Sequence, residues 1–236
     1  MRLKFALILA AMLPLAAGSA ARAQNAAANA PSSDPTVYVV NYIDAAATAK
    51  GQVVTLLKQL AQASSKEPGV LRFEVLQRVS PQNEFAIIEA WKDQAALDAH
   101  IGAAAAKQFN DKLSAQLIAP VDSRSNRPFA VGPVDTKIPA GALYGVTHID
   151  VNPPNMDDEN GILKTFAEAT RKAPGNLRFD ATVQLKGRGN HYTVFEVWKD
   201  QKSLDAHAAA TGTKSYRTTH APLSGALFDQ RWYKAL

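Results

Sequence analysis

The sequence contains no cysteine, which excludes disulfides, a lipid-modified cysteine anchor and any thiolate metal site. It also lacks the short patterns that announce common chemistries. There is no H-x-H or HExxH pair, no glycine-rich phosphate loop and no nucleophile elbow. Gly187-Arg188-Gly189 has the glycines of a dinucleotide fingerprint but no helix signal behind it, so it reads as a hairpin turn. His148, His191, His207 and His220 crowd the second half without metal-ligand spacing. Neither sign of charge dominates, with 26 Lys and Arg against 21 Asp and Glu for a net +5. A nucleic-acid binder needs a clustered basic face, and so small a net charge is no footprint of one, so no nucleic-acid partner is expected.

The first residues account for part of that charge. Arg2 and Lys4 precede an apolar run from Phe5 to Ala17, and Ala21-Arg22-Ala23 fits a small-x-small cleavage site. The run is too short to span a bilayer. Residues 1–23 therefore read as a secretory signal, and the expectation is an exported protein, in a bacterial periplasm or secreted. Its removal would take away Arg2, Lys4 and Arg22 and bring the net charge from +5 to +2. Residues 24–35, rich in Ala, Asn, Ser and Pro, read as a flexible tether.

The remaining chain is duplicated. EAWKDQAALDAH, Glu89 to His100, returns as EVWKDQKSLDAH, Glu196 to His207, with nine of twelve positions identical. PGVLRF at Pro68 answers PGNLRF at Pro174, and VYVVNYID at Val37 answers LYGVTHID at Leu143. The offset of 106 to 107 residues is too long for a solenoid and marks two domains, 36–132 and 142–236, joined by a linker at 133–141.

Within a repeat, Val37 to Ile43 is a strand apolar on both faces apart from Asn41 and the tyrosine hydroxyls. Val53, Val54, Leu57, Leu60 and Ala61 follow helical spacing over Gly51 to Ala63, and Glu67-Pro68-Gly69 stops the helix. Val70 to Gln77 and Glu84 to Trp91 form a hairpin. Asp93 and Asp200 sit where they would cap a second helix, broken near Gly102 in the first copy and Gly212 in the other. A strand near Val121 to Val131, and again near Ala226 to Ala235, closes each repeat. The order βαββαβ predicts an α+β protein of two ferredoxin-like repeats with antiparallel sheets. Helices on one face leave the other bare, and two bare faces can cover each other as a pseudo-dimeric α/β barrel.

The pattern PGxLRF, a strand ending E-x-W and KDQxxLDAH on the following helix resembles the antibiotic biosynthesis monooxygenase domain, including its quinol monooxygenase members. The resemblance covers both repeats. It implies the dimeric α/β barrel and, for some members, oxygenation of phenols or quinols by O2 without metal or flavin. The expected partners are then a small aromatic substrate and O2, with no cofactor, an internal pseudo-dimer and room for further oligomerisation. A non-catalytic barrel that binds a small hydrophobic ligand or a protein remains the alternative, so enzymatic activity is left open. Asn41, Trp91 and His100 also bring to mind haem-degrading relatives, although Trp and His stand closer together here than in those.

On this resemblance His100 and His207 are the candidate bases for a phenolic proton; the competing reading is a core histidine satisfied by a neighbour. Glu89 and Glu196 share a strand face with Trp91 and Trp198, and a buried carboxylate there needs a partner. Arg72 and Arg178 on the adjacent hairpin arms are the expected ones. Trp91 and Trp198 could offer their indole N–H groups to a substrate or serve as core. Asn41 and Tyr42 on the first strand, and His148 where the second repeat replaces Tyr42, complete the expected pocket. Thr147 stands where the first repeat has Asn41, so a difference in activity between the halves is sought there.

Overall fold

The computed structural model describes residues 33–133, 137–185 and 187–236. The expected signal at 1–23, residues 24–32 of the tether, residues 134–136 of the linker and Lys186 in the second hairpin turn lie outside the described residues. Among the described residues no helix is long and apolar enough to cross a membrane.

The first repeat runs β1 (Val37–Asp44), α1 (Lys50–Ser64), β2 (Val70–Arg78), β3 (Glu84–Trp91), α2 (Gln94–Gly102), α3 (Ala104–Ser114) and β4 (Asp122–Ala130). The second repeats the order as β5 (Leu143–Asp150), α4 (Met156–Thr170), β6 (Asn176–Gln184), β7 (His191–Trp198), α5 (Gln201–Ala209), α6 (Thr211–His220) and β8 (Asp229–Ala235). Asp93 caps α2 by accepting from the Ala96 amide at 2.8 Å, and Asp200 caps α5 through Ser203 at 2.8 Å. The break in the second helix falls at Ala103 and Ala210, both extended near φ −65° and ψ 145°. In the second repeat the sequence expectation of a break at Gly212 is thus two residues late, because the extended residue that starts a new helix need not be glycine.

The strands close into one antiparallel barrel in the order β1-β3-β2-β8-β5-β7-β6-β4. Each repeat supplies a ferredoxin-like sheet, and the closing seams pair β2 with β8 and β4 with β6. Period two decides what faces where. Tyr38, Val40 and Tyr42 turn inward with Leu76, Ile88, Val146, Phe195, Val197 and Tyr233, a core shared by both repeats. The alternate residues Ile43, Phe85 and Ile87 turn outward under Leu57, Leu60 and Phe109 of α1 and α3. Ile149, Phe179 and Val194 meet Leu163 and Tyr216 of α4 and α6 in the same way. Burial of the inner faces supplies the main driving force for pairing the halves, since each sheet alone would expose that apolar surface.

The arginines do not bond the glutamates that the sequence pairs them with. Arg72 lies opposite Ala90, and Phe73 lies opposite Glu89. An irregularity between Val70 and Arg72 sets this register. Arg72 therefore turns to the inner side, where its Nη1 donates to Asp180 of the other repeat at 3.1 Å. Arg178, opposite Val197, grips Glu74 through two hydrogen bonds of 2.7 and 2.9 Å. The ion pairs cross the repeat boundary instead of holding the hairpins.

Candidate functional site

Each repeat has a cavity between the outer sheet face and its helices. The first, of about 310 Å³, is lined by Asn41, Glu89, Leu97, His100, Phe109 and Leu113 among others. The second, of about 450 Å³, falls within the usual range of small-molecule sites. Its walls include Phe166, Phe179, Tyr216, Phe228, His207 and His220.

In the first repeat the candidate groups satisfy one another. Glu89 accepts from the Trp91 indole at 2.7 Å and from the Asn41 amide at 2.7 Å. The His100 ring stacks on Trp91 with 4.7 Å between centroids, places Nδ1 3.1 Å from Glu67 and holds Nε2 4.0 Å from Glu89. Burial pushes the Glu89 carboxyl up, against the pull of these donors. Asn41 and Trp91 thus both donate to Glu89, and His100 faces Glu67 through Nδ1 while its Nε2 has no partner within hydrogen-bond distance among the described residues.

The second repeat keeps the frame and changes its surroundings. Glu196 accepts from Trp198 at 2.7 Å and from Gln230 at 3.0 Å, and burial pushes its carboxyl up as well. His207 stacks on Trp198 at 4.5 Å, but Ala173 stands where the first repeat has Glu67, so no carboxylate meets the ring. Its contacts are with the Thr213 hydroxyl, 3.3 and 3.5 Å from the two nitrogens. Burial, helped by the charge of Arg217, pushes the imidazole down to about 4. The Thr147 hydroxyl, at the position of Asn41, lines the cavity and is buried without a hydrogen-bond partner.

Trp91 and Trp198 are fully buried and line neither cavity; their indole N–H groups hold the glutamates. Tyr42 and His148 lie on the other face of the sheet from Asn41, as alternation requires. Tyr42 donates to His148 Nε2 at 2.6 Å inside the barrel. They are set apart from both outer cavities, so the expected pocket divides across the two faces of the sheet.

The second cavity also contains a group that motif reading passed over. His220 Nδ1 lies 2.8 Å from Glu159, and the Tyr216 hydroxyl donates to the same carboxylate at 2.7 Å. The corresponding residues of the first repeat are Val53, Phe109 and Leu113. Comparison of the two copies position by position would have found them, as polar residues at places that the other copy keeps apolar. Among the described residues no cluster of His, Asp and Glu is arranged to hold a metal ion.

The family description "Antibiotic biosynthesis monooxygenase" matches residues 36–112 and 143–221. A Bacillus subtilis protein described as "Putative monooxygenase YcnE" is 30% identical over 81 residues, covering 34% of this chain and 85% of its own. Two crystal structures share the whole tandem fold. One, described as a putative monooxygenase of Fusobacterium nucleatum, has a TM-score of 0.79 at 21% identity and covers 87% of this chain and 94% of its own. The other, described as a putative monooxygenase of Lactobacillus acidophilus, has a TM-score of 0.72 at 14% identity, with coverages of 85% and 94%.

Proposed function

Because the chain belongs to the antibiotic biosynthesis monooxygenase family, we infer that its second cavity binds a small electron-rich aromatic, such as a quinol or naphthol, and oxygenates it with O2. The observation that carries this reading is the make-up of that cavity. Four aromatic side chains wall it, and two imidazoles, the unpartnered Thr147 hydroxyl, Glu196, Arg217 and Gln230 stand among its polar groups. Flat apolar walls with a few converging polar groups suit a planar ring bearing a hydroxyl.

The substrate is the reductant in this reaction. A phenol with a free para carbon, such as 1-naphthol, and one O2 give a quinone and one water; a quinol with a free ring carbon and one O2 give a hydroxyquinone and one water. One oxygen atom becomes the new carbonyl of the first product or the new hydroxyl of the second, the other leaves as water with two hydrogens of the substrate, and all four electrons come from the substrate. The protein has to take the phenolic proton, hold the ring and exclude water from the anion. The first repeat, whose smaller cavity is walled mainly by aliphatic side chains with Phe109, acts as the structural partner that completes the barrel. Export, with cleavage after Ala23, belongs to the same proposal and is checked by sequencing the N-terminus of the mature protein.

Oxygen uptake by the purified protein against a panel of quinols and naphthols tests the activity. Uptake above autoxidation supports it. Binding of the same compounds without uptake would make the protein a ligand-binding barrel.

A further inference from the structure

Resting on the reading that the second cavity takes a phenolic ring, we propose that His220, oriented by Glu159, is the base that ionises it, and that His207 is not. Glu159 is wholly buried in the first turns of α4, and His220, 2% exposed, ends α6. Such a pair between two helices is costly to bury, and the first repeat packs the corresponding place with Val53, Phe109 and Leu113 instead.

The bonding fixes what the ring can do. The Glu159 carboxylate accepts from the Tyr216 hydroxyl on Oε1 and faces His220 Nδ1 with Oε2. A carboxylate only accepts, so Nδ1 carries the hydrogen and Nε2 presents its lone pair. His220 lines the cavity, and its ring lies 4.7 Å from that of Phe228 on the same wall. In the step, the phenol O–H bond breaks, the proton goes to Nε2, and the bonding electrons remain as phenolate. The imidazolium formed stays paired with Glu159, so the protein side of the exchange ends without an isolated buried charge. His207 has no such counter-charge, and its displacement to about 4 makes it a weak proton acceptor at neutral pH.

The test uses 1-naphthol, whose anion absorbs at longer wavelength than the neutral form, at a pH where the free compound is neutral. Bound to the wild-type protein or to His100→Asn, it shows the naphtholate band. His220→Asn and the near-isosteric Glu159→Gln, checked for folding by circular dichroism, lose the band, and kcat/KM for oxygen uptake falls roughly 10²- to 10⁴-fold. Persistence of the band in folded His220→Asn, its loss in His207→Asn alone, or its absence from the wild type at saturating naphthol would overturn the assignment. The band and the oxygen uptake are read separately. A naphtholate band that depends on His220, without oxygen uptake, would sink the oxygenase reading and leave the base in place.

Discussion

Arg72 of the first repeat reaches Asp180 of the second at 3.1 Å, with both side chains almost wholly withdrawn from solvent. Asp180 also accepts from the Gly132 amide at 2.8 Å, where the chain leaves the first repeat. Removing Arg72 would strand a buried carboxylate in the barrel. Arg72→Ala is expected to cost about 3–5 kcal/mol in urea unfolding, as for other broken buried pairs. A loss within the range of a surface pair, roughly 0–1 kcal/mol, would show that water reaches the carboxylate and that the pair does not hold the halves together.

Buried Glu89 and Glu196 both have their carboxyls displaced upward, chiefly by desolvation. Between the ordinary value of 4.5 and the raised folded value, the folded protein holds more protons than the unfolded chain. Stability from these groups is therefore full at low pH and declines as pH rises through that window. Glu196→Gln, which keeps an acceptor for Trp198, should flatten the decline in urea midpoints measured across a pH series. An unchanged slope would mean that Glu196 ionises as freely as in water.

His207 shifts in the opposite sense. Its folded value of about 4 lies below the ordinary 6.5, so the folded state binds fewer protons between them and this contribution is lost as pH falls through that interval. NMR titration of the ring should give a midpoint near 4. A midpoint near 6.5 would mean that the ring is solvated, and would restore His207 as a candidate base.

Much of this was legible in the chain, and the rest was hidden for definable reasons. The echo of EAWKDQAALDAH revealed two repeats, and period two placed Glu89 with Trp91 on one face of their strand and Asn41 with Val37, Val39 and Ile43 on one face of its own. The same period placed Tyr42 on the other face, which a list of attractive residue types concealed. The partners of Arg72 and Arg178 depended on a bulge and on a seam between repeats, and neither has a local signature. Tyr216 and His220 share one helix, but Glu159 is far from them in sequence, and the three match no motif. Their signal lies in the contrast with Val53, Phe109 and Leu113.

A second contrast between the copies concerns volume. A side chain at Gly145 would meet Trp232 at 2.6 Å and Glu196 at 2.7 Å. The first repeat has Val39 and Ser125 at the corresponding places, so bulk has moved from one strand to its neighbour. Gly145→Val should destabilise by about 1–3 kcal/mol through overpacking, and adding Trp232→Ser should recover most of the loss. Additive penalties in the double variant would contradict this exchange.

The most direct test rebuilds the second cavity in the image of the first, with Glu159→Val, Tyr216→Phe and His220→Leu in one chain. Replacing all members of a buried hydrogen-bonded polar cluster by apolar residues of similar shape is commonly neutral or stabilising, so this variant should fold at least as well as the wild type. Oxygen uptake with a quinol or naphthol is then measured for both proteins. The account predicts uptake above autoxidation for the wild type and none for the folded triple variant. Equal uptake by the two would place the chemistry elsewhere, and uptake by neither would contradict an oxygenase in this cavity.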